Sequence, residues 1–509
     1  MSDNNTADIH GTTVLVVGGG SAGAVLAARL SENPQRRVLL IEAGPDYRDG
    51  DFPEELLNPH ILAHPSHDWA YSARGSERAP LIPAPRGRTM GGSSSVNAGV
   101  FLRARASDFA AWDTRHGIKG WSYEDVLPTF KYLENTSAGD DGFHGRTGQF
   151  PIRQWDYEEL SSPLKAFVDT CVGQGFPRND DFNGAEQYGS GGYPVNIVDG
   201  IRQNTSLAYL TPEIRRRPNL RILSGITVDT VLIENGVARG VVSDSGTVYR
   251  AEEVVLSAGS YGSPAILMRS GVGPSAHLRA LGIDVVADLP VGRRLQDHPF
   301  FHSLFALAPE YQTMTAAFQA HLWFASREAS EAELDLSIVA THLLDGSFSP
   351  TGGAVLLAAA VTRPDSRGSV SLAARDPHVA PLIDDNYLSA PRDLRRMLEA
   401  VKLVRSIAGS TPFARAVTSE LVPGDAVRSD DQLAEFLMQR IASYGHPTST
   451  APMGGSDDEW AVVDKFGAVK GLGGLRVVDA SIIPEVPSAP TNATTIMLAE
   501  HIAHRVYKH

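Results

Sequence analysis

Cysteine is nearly absent: Cys171 is the single one among 509 residues. No internal disulfide can form, and no Cys/His group has the spacing of zinc ligands, so no metal is expected. Long apolar runs are also lacking. Nowhere does the chain reach the roughly 18 consecutive apolar residues that a membrane-spanning helix needs. The polar start, MSDNNTADIHGTT, has no basic segment leading into an apolar one. On these grounds the chain reads as cytoplasmic. Positive charge is scarce too, with 45 Lys and Arg against 59 Asp and Glu, a net charge of −14. That argues against a nucleic-acid surface, and a solvated acidic exterior explains it without a cationic ligand. Internal repeats and low-complexity segments are missing as well.

What is present begins with TVLVVGGGSAGAVLAARLSE. The apolar run Val14 to Val17 predicts a buried parallel strand, and a helical pattern follows through Leu30. Between them lies Gly18-Gly19-Gly20-Ser21-Ala22-Gly23. Gly18 permits a tight turn, Gly20 lets backbone N–H groups approach a pyrophosphate, and Gly23 lets helix and strand pack closely. A second strand ends at Glu42-Ala43, and Glu42 lies 24 residues after Gly18, placed to accept hydrogen bonds from ribose hydroxyls. The unit predicts dinucleotide binding but does not separate FAD from NAD.

Residues 45 to 120 are rich in Pro, Gly and Arg with little periodicity. A stretch this long without regular structure predicts a ligand wrap. Asn235-Gly236 inside an alternating segment predicts a hairpin. A strand at Glu253 to Ser257 is followed by a helix expected to begin near Pro264. Residues from about 300 to 440 predict an antiparallel sheet, including SRGSVSLAAR, flanked by helices such as Pro391 to Ala408. Cys171 sits in an amphipathic stretch and reads as a packing residue. The aromatics Phe300, Phe301, Phe305, Trp323 and Phe324 read as core, with a pocket wall as the other reading.

The segment Gly87-Arg88-Thr89-Met90-Gly91-Gly92-Ser93-Ser94-Ser95-Val96-Asn97-Ala98 offers bare backbone and hydroxyls to a second polar ligand surface. Together with GSYGSP from Gly259, and with Tyr444-Gly445-His446-Pro447, Val478-Asp479-Ala480-Ser481 and Asn492-Ala493-Thr494-Thr495, it resembles the glucose–methanol–choline oxidoreductase family. The similarity is spread from about residue 12 to residue 505.

That resemblance implies FAD as cofactor. Gly18, Gly20, Ser21, Ala22, Gly23, Glu42 and Ala43 would hold its ADP half. Arg88, Gly91, Gly92, Ser93, Asn97 and Ala98 would lie along the pyrophosphate and isoalloxazine, and Val228 at the adenine. Asp479 and Ala480 would meet the phosphate and ribityl region, and Thr495 the flavin edge. His446 and Asn492 would form the catalytic pair, with His446 as base while hydride passes to flavin N5. A lone His in a Gly/Pro loop is usually a cap or surface residue; the surrounding motif and Asn492 reverse that reading. His298, in LQDHP, reads as structural. Some members attach FAD through a His at the position of Val96, so FAD here should be non-covalent.

The implied fold is α/β. A Rossmann-like FAD-binding domain (1–155, 215–300, 440–509) with a parallel sheet interleaves with an antiparallel-sheet substrate domain (156–214, 301–439). The implied reaction is oxidation of a primary alcohol to an aldehyde, with oxygen or a quinone or protein carrier as electron acceptor. Two alternatives are a non-redox FAD-containing lyase of the same fold and a flavin-binding protein without turnover.

Overall fold

The computed structural model describes residues 11–48, 50–312, 319–330, 333–342 and 346–507. The polar stretch 1–10 lies outside them. Five parallel strands form one sheet, in the order Leu220–Leu223, Val38–Ile41, Val14–Val17, Glu253–Leu256, Leu475–Val477. The chain leaves Val14–Val17 to one side first and returns on the other much later. The strand order therefore reverses at the carboxyl end of Val14–Val17, where ligands bind in open α/β sheets. Val14 to Val17 and Val38 to Ile41 are all at most 4% exposed, which is why they read as unbroken apolar runs rather than alternating ones. Truncating a fully buried side chain here, such as Leu39, costs about 2–5 kcal/mol.

Helix Gly23–Leu30 packs against the last helix, Thr491–Tyr507. Two ties fix that crossing. Arg29 grips buried Glu500 with a two-pronged 2.8 Å pair, and Ser21 Oγ donates to Asn492 Oδ1 at 2.8 Å. The first is a bidentate ion pair out of bulk water, so it orients as well as attracts.

A seven-stranded sheet forms the second layer, ordered Val417–Val422, Pro299–Leu307, Ala354–Val361, Leu336–Thr341, Ala320–Phe324, Gly189–Gly192, with Ala442–Ser443 also on Pro299–Leu307. All its named pairings are antiparallel. Helices Ser162–Gly173 and Pro391–Ala408 cover one face, where Phe301, Phe305, Leu164 and Met397 share a core. Cys171 is fully buried there, and burial pushes its thiol up to about 12, so it packs rather than reacts.

The predicted hairpin is present. Asn235 and Gly236 have φ of 52° and 77°, the left-handed pair a tight two-residue turn needs. Two expectations are corrected. The helix expected from Pro264 runs Gly259–Arg269 with Pro264 inside it. Proline has no N–H for the carbonyl of Ser260, and the Thr450 hydroxyl donates to that oxygen instead, at 2.8 Å. SRGSVSLAAR does not join the large sheet. Its strand Ser369–Ser371 pairs with Leu382–Asp384 in a separate four-stranded sheet with Ser72–Arg74 and Leu81–Pro83. Alternation establishes a half-buried strand but not its partner.

Candidate active site

A cavity of about 800 Å³ runs from the carboxyl ends of the parallel strands to the face of the large antiparallel sheet opposite helices Ser162–Gly173 and Pro391–Ala408. Of the stretch 45–120 expected to wrap a ligand without regular structure, residues between Leu62 and Val100 contribute to the lining, but it also holds strands Ser72–Arg74 and Leu81–Pro83 and helix Ala106–His116.

At one end lies the glycine turn. Gly18, Gly20, Ser21, Ala22, Glu42 and Ala43 all line the cavity. Gly23 does not; a Cβ there would stand 1.8 Å from the Gly18 carbonyl oxygen, so its lack of side chain serves the strand–helix contact. Glu42 has a role the sequence did not reveal. Its carboxylate accepts from the N–H of Gly19 and of Gly44, each at 2.7 Å, and so holds the turn itself. Burial raises its pKa, and those backbone donors counter the shift.

Arg88, Gly92, Ser93, Asn97 and Ala98 line the middle of the cavity, as do Val96, Val228, Ala480 and Thr495. Gly91 lies behind the wall. A Cβ on Gly92 would sit 2.7 Å from the Cα of Gly20, so the two glycine segments meet backbone to backbone. Arg88 lies over the Trp69 ring at 4.9 Å. Asp479 also borders the cavity, but its carboxylate is taken by protein groups: Gly259 N–H and Ser263 Oγ on one oxygen, and the Ser481 N–H and hydroxyl on the other. It fixes the start of helix Gly259–Arg269 at the cavity wall.

His446 and Asn492 line the cavity together, although 46 residues separate them in sequence. The Oδ1 of Asn492 is occupied by Ser21, and its buried Nδ2 has no hydrogen-bond partner among the described residues. An unpaired buried donor carries a penalty of about 1–3 kcal/mol that a ligand acceptor would remove.

His298 stands directly behind His446. Its Nε2 is 2.9 Å from the carbonyl oxygen of Pro487, and its Nδ1 is 3.0 Å from the Nδ1 of His446. A carbonyl oxygen only accepts, so Nε2 of His298 carries a proton. Burial lowers the pKa of His298, which makes the ring neutral and its Nδ1 a lone pair. The 3.0 Å contact then requires a proton on Nδ1 of His446. The Nε2 of His446 is left as a lone pair, with no hydrogen bond among the described residues. Burial holds the pKa of His446 well below its ordinary value, and the Arg86 guanidinium acts in the same direction.

Asp297 anchors this pair. Its Oδ1 accepts from the backbone N–H of both His298 and His446 at 2.7 Å, and its Oδ2 accepts from the hydroxyls of Tyr387 and Ser443. Asp297 and Tyr444 escaped the sequence reading. The signal was there in Asp297, an acid directly beside His298. Tyr444 stacks on Phe300 with centroids 4.0 Å apart and 2° between planes, and its ring is 4.3 Å from that of His446. Of the aromatic cluster, Phe300 alone lines the cavity; Phe301, Phe305 and Phe324 pack under the helices, and Trp323 is buried core.

One group with metal-ligand proximity appears among the described residues, formed by Glu55, His64 and His67. The Ser66 hydroxyl sits among all three, 2.7–3.1 Å from their ligand atoms, and hydrogen-bonds each of them. The group satisfies itself.

The chain matches the models of the two GMC oxidoreductase domains, the N-terminal over residues 12–300 and the C-terminal over residues 364–499. The chain belongs to the GMC oxidoreductase family. This GMC chain is 36% identical to the "Oxygen-dependent choline dehydrogenase" of Rhizobium etli (strain CIAT 652), over 97% of its own length and 95% of the relative's. It is 34% identical to the protein of the same name from Photobacterium profundum, over 97% and 92%. Among solved structures it resembles pyridoxine 4-oxidase from "Mesorbium loti", with a TM-score of 0.91, 33% identity, and 98% and 99% of the two chains covered. A fungal aryl-alcohol oxidase at 22% identity and TM-score 0.82 shares the fold. The GMC chain is thus an FAD-dependent oxidoreductase acting on CH–OH donors.

The residues present fit FAD. The glycine segments present bare backbone along one cavity, and the unpaired Nδ2 of Asn492 points to a missing acceptor. No helix among the described residues is long and apolar enough to cross a membrane.

Proposed function

We propose that the protein oxidises a primary alcohol to its aldehyde. The observation that supports this most directly is the proton arrangement of His298 and His446, which leaves a lone pair on Nε2 of His446 in the same cavity as the unpaired Nδ2 of Asn492. When bound, FAD supplies the hydride acceptor, N5 of its flavin.

The protein's own groups do the rest. Nε2 of His446 accepts the hydroxyl proton of the substrate. The depressed pKa keeps that nitrogen free before turnover. Nδ2 of Asn492 donates to the same oxygen as its charge develops, and its position is fixed through Ser21 and Arg29–Glu500. His298 holds the His446 ring in the productive tautomer; Asp297 holds the loop. The glycine turn, Arg88, Gly92, Ser93, Val228 and Ala480 would hold the cofactor, without a covalent bond at Val96. Oxygen as electron acceptor is supported by the names of the relatives.

The division into an FAD part and a substrate part is supported by the strands of the two sheets, except that Ala442–Ser443, expected in the FAD part, pairs with Pro299–Leu307 in the large antiparallel sheet. Thr205–Tyr209 is reassigned to the FAD part, because Tyr209 packs in the core of the parallel sheet.

The test is anaerobic mixing of the holoenzyme with a panel of primary alcohols, followed by air. Substrate-dependent bleaching of the flavin with release of the aldehyde is expected, and fast recovery in air. No bleaching by any alcohol would overturn the reading.

A further inference from the structure

His302 lies on strand Pro299–Leu307, where side chains alternate. Phe301 and Phe305 face the helices; Phe300 and His302 face the cavity. The His302 ring makes no hydrogen bond among the described residues. Its ring contact is edge-on with Phe300, centroids 4.9 Å apart at 87°. It borders the cavity with part of its surface exposed, and the protein packed around it lowers its pKa. A neutral imidazole offers one donor and one acceptor. Rings run continuously from His446 through Tyr444 and Phe300 to His302, with successive centroids 4.3, 4.0 and 4.9 Å apart. The proposed proton acceptor thus stands at one end of this wall and an unused hydrogen-bonding group at the other.

The same cavity is poor ground for a cation. Among the described lining residues the carboxylates are Glu42 and Asp479, both at the cofactor end and both hydrogen-bonded to the protein. The charge beside His446 is the guanidinium of Arg86. One face of Tyr444 is covered by Phe300 and its ring lies 4.3 Å from that of His446, and of the other lining rings Trp69 already carries the Arg88 guanidinium.

We propose that His302 determines specificity: the substrate is an uncharged alcohol with an apolar ring and a hydrogen-bonding group remote from the reacting carbon, which meets His302. Quaternary ammonium alcohols are excluded, although relatives are named for choline. The inference rests on the alcohol-oxidation reading above.

The test is anaerobic flavin reduction of the holoenzyme by benzyl alcohol, 4-hydroxybenzyl alcohol and choline, in the wild type and in His302→Leu and His302→Gln. In the wild type the 4-hydroxy compound should bind about tenfold more tightly than benzyl alcohol, the size of one good hydrogen bond. His302→Leu should erase that difference with little change in the limiting reduction rate, and His302→Gln should restore most of it. Choline should reduce the flavin at least about 100-fold more slowly, because its charge is buried without a counterion. Reduction by choline as fast as by the aryl alcohols would overturn the proposal, as would a tenfold preference that survives in His302→Leu. The wild-type comparison decides by itself if a variant fails to hold FAD. If choline works and the aryl alcohols do not, this inference fails alone. If no alcohol bleaches the flavin, the function reading fails and this one with it.

Discussion

The Nδ1 atoms of His298 and His446 lie 3.0 Å apart, and the other nitrogen of His298 is committed to the Pro487 carbonyl. One buried carbonyl therefore decides, through two rings, which nitrogen of His446 is free. This makes His298 a positioning residue for the proposed reaction.

Replacing His446 with Ala should slow flavin reduction by about 10²- to 10⁴-fold, the usual contribution of a positioned base. FAD should stay bound, since the glycine turn is untouched. Anaerobic stopped-flow on the purified variant measures this; near-normal reduction would remove His446 from the mechanism.

Replacing His298 with Phe removes the acceptor for the Nδ1 proton of His446. Loss of about 1.5–3 kcal/mol, the range for a hydrogen bond to a group that becomes charged, corresponds to roughly ten- to a hundredfold in the reduction rate. Substrate affinity should change little, because His298 does not line the cavity. An effect on KM alone would argue against tautomer control.

The pH dependence follows from the depressed pKa of His446. The neutral ring is the competent form, and burial keeps it neutral as pH falls through the ordinary histidine value of 6.5. The kcat/KM profile should therefore stay level to below that value. A break at or above it would show that His446 titrates as an ordinary histidine.

Val96 predicts that acid precipitation of the holoenzyme leaves the yellow flavin in the supernatant. Flavin that stays with the pellet would reveal an attachment elsewhere. Removing FAD should also lower Tm, since a ligand that binds only the folded state stabilises it.

Stability should fall at high pH through His144. Burial alone would lower its pKa, but hydrogen bonds and charge from Asp181 and Glu134 outweigh that and raise it to about 9. The charged ring thus contributes stability fully below pH 6.5, and this contribution is lost as pH rises through about 9. The partners act in the opposite sense. Glu134 and Asp181 have lowered pKa values, so their share is present above the ordinary carboxylate range and lost in acid. Thermal melts of wild type and His144→Ala should converge above about pH 9. Parallel curves there would exclude this role.

Much of this protein is determined by the sequence alone. Runs such as Val14 to Val17 need burial on both faces, and Asn235-Gly236 needs a left-handed turn; both are local demands that any fold must meet. The glycine turn and Glu42 lie close enough in sequence for one strand–turn–helix unit to join them. His446 and Asn492 were legible because each stands in a dense motif. Other relationships depend on distant segments meeting. Pairing His298 with His446 and Pro487 joins three loops, and nothing local in any of them encodes a proton position. Pro264 sits inside a helix because a threonine almost 190 residues away satisfies Ser260. His302 differs from its neighbours only by strand alternation, and alternation does not say which face is core and which is cavity. That was decided by the helices Ser162–Gly173 and Pro391–Ala408, which cover the side of Phe301 and leave the side of His302 facing the cavity.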